Sequence, residues 1–185
     1  MRIISGTAKG IKLETPFGEH TRPTSDRVKE AIFSIIQFDL ENAVIFEPFA
    51  GSGQLSLEAL SRGAKAAYLN DDDSSAIKII NSNIIKTGFS DKCTTFNLPF
   101  DLAIKKMTAI PNIDIIFLDP PYNSPLLENS LKLITKTLKL SSHSIIICEH
   151  SIDKTLANRY NNLVFYKTYK YSKIGISIYK YEKSI

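Results

Sequence analysis

Cysteine is scarce: Cys93 and Cys148 are the only two in 185 residues. Two thiols cannot build a disulfide scaffold, and no Cys-x-x-Cys pair suggests a structural zinc. The three histidines, His20, His143 and His150, have no metal-ligand spacing, and no His-Glu-x-x-His helix occurs, so no metal is expected. No apolar run approaches the ~20 residues that a membrane-spanning helix needs. The start, Met1-Arg2-Ile3-Ile4-Ser5-Gly6, lacks the long apolar stretch of a secretory signal, and a cytoplasmic location is expected. No internal repeat or low-complexity block stands out.

What is present suits one folded domain. The chain is 43% hydrophobic and 23% charged, enough to build a core and too apolar for wholesale disorder. The net charge of +4 is mild, but it is unevenly placed. Residues 1–29 hold six Lys/Arg and three Asp/Glu, and residues 154–183 hold seven and one. The stretch between them carries 10 basic and 15 acidic groups. A basic arm and a basic tail around an acidic middle hint at a polyanionic partner.

Residues 1–14 read as a short hairpin, Arg2-Ile3-Ile4 and Ile11-Lys12-Leu13 around a Gly6-to-Gly10 turn. Thr24-Ser25-Asp26 supplies helix-capping chemistry, and Val28, Ala31, Ile32, Ile35 and Ile36 recur at helical spacing. The expected division is a basic arm and loop over 1–23 and a catalytic domain over 24–185. From residue 43, short apolar strands alternate with helices at 53–62, 74–87, 100–108 and 124–139. The strands fall at 43–46, 66–69, 94–96, 113–118 and 144–148. Such alternation predicts an α/β fold with a parallel sheet covered on both faces. Leu163–Tyr171 and Ile174–Tyr181 predict an antiparallel hairpin at the sheet edge.

Four motifs carry chemistry. Glu47-Pro48-Phe49-Ala50-Gly51-Ser52-Gly53 follows the first parallel strand, where glycines let the chain turn and a ligand approach the backbone. The third Gly or Ala of a dinucleotide fingerprint is missing, since position 56 is Ser. Asp71 lies 20 residues beyond Gly51, a spacing that suits a carboxylate on ribose hydroxyls, while Asp72 or Asp73 can cap the next helix. Asp119-Pro120-Pro121-Tyr122 ends the fourth strand. Its stiff backbone presents the Asp119 carboxylate and the Pro120 carbonyl as acceptors for an exocyclic amino group, with Tyr122 as a stacking face. Thr21-Arg22-Pro23-Thr24-Ser25-Asp26-Arg27 adds two arginines suited to phosphate or carboxylate. Glu149-His150, after the fifth strand, reads as structural. The tyrosines at 160, 166, 169, 171, 179 and 181 interleave with lysines, which suits either base stacking or a blunted sheet edge.

Taken in this order, with Met1-Arg2-Ile3-Ile4-Ser5-Gly6, Lys9-Gly10 and Leu57-Glu58-Ala59-Leu60-Ser61-Arg62-Gly63-Ala64, the motifs resemble the RsmD family over nearly the whole chain. Its members are bacterial 16S rRNA guanine-N2 methyltransferases. The resemblance implies a Rossmann-like class I methyltransferase, a seven-stranded, mostly parallel sheet with an antiparallel C-terminal hairpin. It implies S-adenosylmethionine as cofactor, held by Glu47, Phe49, Ala50, Gly51, Ser52, Gly53, Asp71, Asp72, Pro99 and Phe100. Asp119, Pro120, Pro121 and Tyr122 would hold the target guanine, in the helix 31 loop of the small-subunit head. Arg2, Lys9, Lys12, Arg22 and Arg27 are the expected RNA contacts. The expected partner is 16S rRNA, within the 30S subunit or an assembly intermediate, bound by a monomer. Glu47 stands where the family usually has Asp, Asp71 where Glu is usual, and Pro99 where Asp or Asn is common. The alternatives are adenine-N6 methylation of DNA or RNA, and a non-catalytic RNA-binding assembly factor.

Overall fold

The computed structural model describes residues 1–15, 26–122 and 124–182. The elements run α1 (Asp26–Ile35), β1 (Val44–Glu47), α2 (Gln54–Ser61), β2 (Ala66–Asn70), α3 (Ser74–Thr87), β3 (Cys93–Phe96) and α4 (Phe100–Lys106). A 3-10 turn, Met107–Ala109, leads to β4 (Ile115–Leu118), α5 (Leu126–Thr137), β5 (Ile145–Ser151), β6 (Arg159–Tyr160), β7 (Leu163–Tyr171) and β8 (Ile174–Tyr181).

The strands form one sheet in the order β3-β2-β1-β4-β5-β8-β7-β6. Strands β1 to β5 are parallel, and β8 runs against both β5 and β7. Strand β7 is therefore parallel to β5, and its C-terminal end lies at the same edge of the sheet. Eight strands form where seven are expected. The addition is the two-residue β6, which pairs Tyr160 with Leu163 and buries the Tyr160 ring edge-on against Tyr179 at 5.6 Å.

Period-2 burial assigns the two faces. Ile45, Ile115, Phe117, Ile145 and Ile147 share one cluster with α1, α2 and α3. Phe46, Ile116, Leu118, Ile146 and Cys148 share the other with α4 and α5. A sheet apolar on both faces needs helices on both, which the alternating pattern supplies.

The N-terminal hairpin pairs Arg2 with Lys12, and Ile3 N–H donates to the Ile11 carbonyl at 3.0 Å. Its Ile3, Ala8 and Leu13 are buried in the first cluster, against the outer side of α2. That packing explains why all eight residues of α2 are buried. The buried Glu58 carboxylate accepts from Ile4 N (2.7 Å) and Ser5 N (3.0 Å) of the hairpin and from Arg62 Nε (2.8 Å). Lys29, fully buried on α1, reaches the same carboxylate at 3.4 Å and donates to the Arg2 carbonyl. At Gly6, with φ +82°, a Cβ would lie 1.7 Å from the Ser61 carbonyl oxygen, so only glycine lets the hairpin seat there. Thr24 and Ser25, expected to cap α1, lie outside the described residues.

Candidate functional site

The strand order turns back between β1 and β4, which pair directly. In open parallel sheets the crevice for a ligand opens at such a reversal, beyond the C-terminal strand ends. The glycine loop leaves β1 and the Asp-Pro-Pro-Tyr run leaves β4, so the two motifs, 66 or more residues apart in sequence, flank one crevice.

The loop is fixed from several sides. Ala50 N–H donates to the Asn70 carbonyl at 2.8 Å, and Gly51 N–H to Asp71 Oδ2 at 2.8 Å. Gly53 takes the N-cap of α2 in the left-handed region (φ +75°), where a Cβ would meet Leu69 at 2.9 Å. Ser52 is buried. Its carbonyl accepts from Asn83 Nδ2 at 2.9 Å, and Asn83 also holds the Glu14 backbone at both N and O. One asparagine thus joins the end of the hairpin to the loop. Glu47, at the end of β1, does not point into the crevice freely. Its Oε2 accepts from Ser56 N (3.1 Å) and Ser56 Oγ (2.5 Å) in the first turn of α2. Burial pushes the Glu47 carboxyl up to about 8, with the nearby Asp71 charge adding to the shift.

Asp71 follows β2 and is half-buried. Its two oxygens each take one backbone N–H, Oδ2 from Gly51 and Oδ1 from Asp73 at 3.0 Å. A carboxylate oxygen has a second lone pair, so both remain able to accept from a diol. Burial raises its pKa against the pull of those two donors. Asp73, not Asp72, caps α3, accepting from Ser75 N at 2.7 Å. Asp72 is exposed on the rim, its carbonyl held by Asn97 Nδ2 at 3.0 Å. Phe49 and Phe100 stack with centroids 5.7 Å apart, forming an aromatic wall between the glycine loop and α4. Pro99 is exposed at the N-cap of α4 and has no side-chain donor or acceptor, so recognition at that point falls to backbone groups.

Asp119 is half-buried at the mouth of β4. Desolvation holds its carboxyl well above the usual range, and the carboxyls of Glu149 and Glu47 push the same way. Pro120 is buried and Pro121 exposed, the Pro121 carbonyl accepting from Ser124 Oγ at 2.6 Å. Tyr122 donates its hydroxyl to Glu149 Oε1 at 2.6 Å.

Glu149 is thus brought to the site although its sequence reads as structural. Its signal, a carboxylate near the end of an apolar parallel strand, was visible but had no partner in the sequence. Asn70 was likewise missed. Fully buried, it donates to the Pro48 and Leu98 carbonyls (3.0 and 2.9 Å) and accepts from Leu98 N at 3.1 Å. His150 keeps a structural place, with Nδ1 on the Ser151 carbonyl (2.8 Å) and Nε2 on Ser177 Oγ (2.7 Å). Of the expected RNA contacts, Arg2, Lys9, Lys12 and Arg27 are exposed, Arg2 pairing with Asp26 at 3.3 Å. Arg22 lies outside the described residues. Tyr160 and Tyr179 are buried, so they offer no stacking surface.

A parallel sheet whose order turns back between β1 and β4, with one reversed strand near its end, is the Rossmann-like fold of S-adenosylmethionine-dependent methyltransferases. The family description "Conserved hypothetical protein 95" matches residues 1–180, and the chain belongs to that family, the RsmD family whose motifs it carries. It is 35% identical over 184 residues to the YlbH protein of Bacillus subtilis, covering 97% of this chain and 98% of that one. It is 33% identical over 158 residues to a Haemophilus influenzae protein named ribosomal RNA small subunit methyltransferase D, covering 84% of this chain and 81% of that one. The solved structure of yhhF from Escherichia coli superposes with a TM-score of 0.86 at 28% identity, covering 98% of each chain. Among the described residues no helix is long and apolar enough to cross a membrane, and no metal-binding group of side chains occurs.

Proposed function

We propose that the protein transfers a methyl group from S-adenosylmethionine to the exocyclic N2 of a guanine in small-subunit rRNA, with the helix 31 loop of the head as target. The observation that carries the reading is the pairing of β1 with β4, which sets the glycine loop beside Asp119–Tyr122 across one crevice. The relative named for small-subunit rRNA methylation supports the substrate class.

The residues present fit the cofactor. Asp71 keeps acceptor capacity for two ribose hydroxyls, and the Phe49–Phe100 wall suits an adenine face. Gln54, nine-tenths buried in the first turn of α2, has its Oε1 without a hydrogen-bond partner among the described residues. An ammonium donor on that loop would satisfy it. When bound, the cofactor supplies an electrophilic methyl on a positively charged sulfur.

The chain's own residues position the acceptor. The guanine N2 lone pair is delocalised into the ring and is a weak nucleophile. Asp119 and the Pro120 carbonyl accept from the two N–H groups and turn that lone pair toward the methyl. Tyr122, its hydroxyl tied to Glu149, presents a fixed face to a base drawn out of its stack. Held by the glycine loop, Asp71 and the Phe49–Phe100 wall, the cofactor would supply the methyl and keep on sulfur the electron pair of the broken C–S bond, and the N2 proton would pass to water. Acceleration comes from placement and from acceptors aimed at developing positive charge on N2.

The test is label transfer from methyl-labelled S-adenosylmethionine to unmethylated small-subunit rRNA, naked and assembled, followed by nucleoside analysis. N2-methylguanosine is expected, and Asp119→Ala should nearly abolish it with cofactor affinity retained. N6-methyladenine in its place would overturn the base assignment. Binding of RNA without any transfer would favour the non-catalytic reading.

A further inference from the structure

We propose that the C-terminal hairpin carries a Tyr–Lys stripe that binds single-stranded RNA flanking the target nucleotide. The proposal rests on the reading of the substrate as RNA, and adds a surface that the glycine loop, the Asp-Pro-Pro-Tyr run and the N-terminal arm do not include.

Register places the stripe. Glu149 on β5 pairs with Ile176 on β8, and Ile176 pairs with Tyr169 on β7. Residues directly opposite one another point to the same face, so Tyr169 shares the face of Glu149 and Tyr122, about 10 Å away across two strand spacings. Tyr122, Tyr169 and Tyr171 indeed pack on the same cluster. Because β7 is parallel to β5, Tyr171 and the Ser172–Lys173 turn lie at the crevice edge of the sheet.

From that edge the face reads Tyr171, Tyr169, Lys167, then Tyr166 and Lys180. A bulge between Phe165 and Lys167 breaks the alternation: Phe165 packs on the opposite face, and Tyr166 joins Lys167 on this one. Two lysines rest on two rings, Lys167 Nζ 4.8 Å from the Tyr169 centroid and Lys180 Nζ 4.3 Å from the Tyr166 centroid. Tyr166 is 58% exposed, leaving a ring face open to a ligand, and Lys167, Lys173 and Lys180 are exposed.

The chemistry selects the occupant. Each ammonium sits where a stacked base would lie, and its flexible stem can swing to a phosphate while the ring takes the base. Stacking rings alternating with cations are what sequence-tolerant single-strand binding requires. Seven Lys/Arg against one Asp/Glu over residues 154–183 make the segment complementary to a polyanion. The side chain of Lys170, between Tyr169 and Tyr171 in sequence, falls on the opposite face and provides an internal control.

The experiment measures binding of a labelled RNA fragment carrying the helix 31 loop by fluorescence anisotropy across a salt series. Calorimetry with S-adenosylmethionine checks that each variant retains its fold. The triple variant K167A, K173A, K180A should lose at least tenfold in affinity, with the salt slope shallower by about 2. Tyr166→Ser should lose about tenfold with the slope unchanged, since stacking releases no counterions. Lys170→Ala should stay within twofold. If wild type binds the fragment and both stripe variants stay within twofold, the stripe is overturned and the substrate reading stands. A Lys170→Ala loss of tenfold or more would reduce the stripe to unspecific charge and overturn it. If wild type binds no such RNA, the stripe is overturned, and label transfer to the assembled subunit decides the substrate reading.

Discussion

The Tyr122 hydroxyl donates to Glu149 Oε1 at 2.6 Å, joining the exit of β4 to the end of β5. The ring expected to stack on the target base is therefore oriented by a carboxylate 27 positions later, which also raises the pKa of Asp119. Ionised, Asp119 accepts at both oxygens and carries the charge that strengthens those hydrogen bonds, so the rate should rise with pH through its elevated pKa. Glu149→Gln keeps an acceptor for Tyr122 and removes the charge that disfavours the Asp119 carboxylate. The acid limb of kcat/KM should move to lower pH. A profile that does not move would show that Glu149 acts only through Tyr122.

Asp71 binds the glycine loop at Gly51 and has lone pairs left for a diol. Asp71→Asn removes the charge behind those hydrogen bonds, each of which is worth about 1.5–3 kcal/mol. Calorimetry should give a cofactor Kd raised tenfold or more. An unchanged Kd would confine Asp71 to holding the loop.

Glu47 makes stability depend on pH. Its folded pKa is about 8 against an ordinary 4.5. Between these values the folded state keeps a proton that the unfolded state has lost, so the favourable contribution fades as pH rises through that window. Asp71 and Asp119 are shifted in the same direction and act with the same sign. Urea midpoints should fall from pH 5 to pH 8, and Glu47→Gln should make the fall shallower. An equal slope in the variant would place the effect elsewhere.

Glu58 gathers two hairpin amides, Lys29 and Arg62. Glu58→Ala would leave the fully buried Lys29 ammonium without its carboxylate, a change that costs about 3–5 kcal/mol. Chemical denaturation should show that loss. Adding Lys29→Met should recover part of it, because the stranded charge is then gone. No recovery would mean that the hairpin amides dominate.

Much of the frame was legible because periodicity is local. Helix α3 and both hairpin strands, β7 and β8, fall where alternation and capping place them, and Asp73 and Gly88 bound α3 by their own chemistry. Strand β6 was not legible. Two residues show no period, and what orders them is the contact of Tyr160 with Tyr179, 19 positions away. At the site, glycines and prolines announced their turns, since backbone geometry restricts which residues can occupy them. The roles of Glu149, Asn70 and Asn83 depend on partners from 22 to 69 positions distant, which no local pattern encodes.

The seating of the N-terminal hairpin bears on how the protein can be dissected. With Gly6 against the Ser61 carbonyl and two of its amides on Glu58, the hairpin is a wall of the domain, not a detachable module. Deleting residues 1–14 would open α2 and Lys29 to water and make a misfolded protein resemble one that has lost its grip on RNA. Grafted alone onto another scaffold, the hairpin would leave its complementary surface behind. Its exposed cations can be interrogated one by one, at Arg2, Lys9 and Lys12, while the hairpin that bears them stays in place.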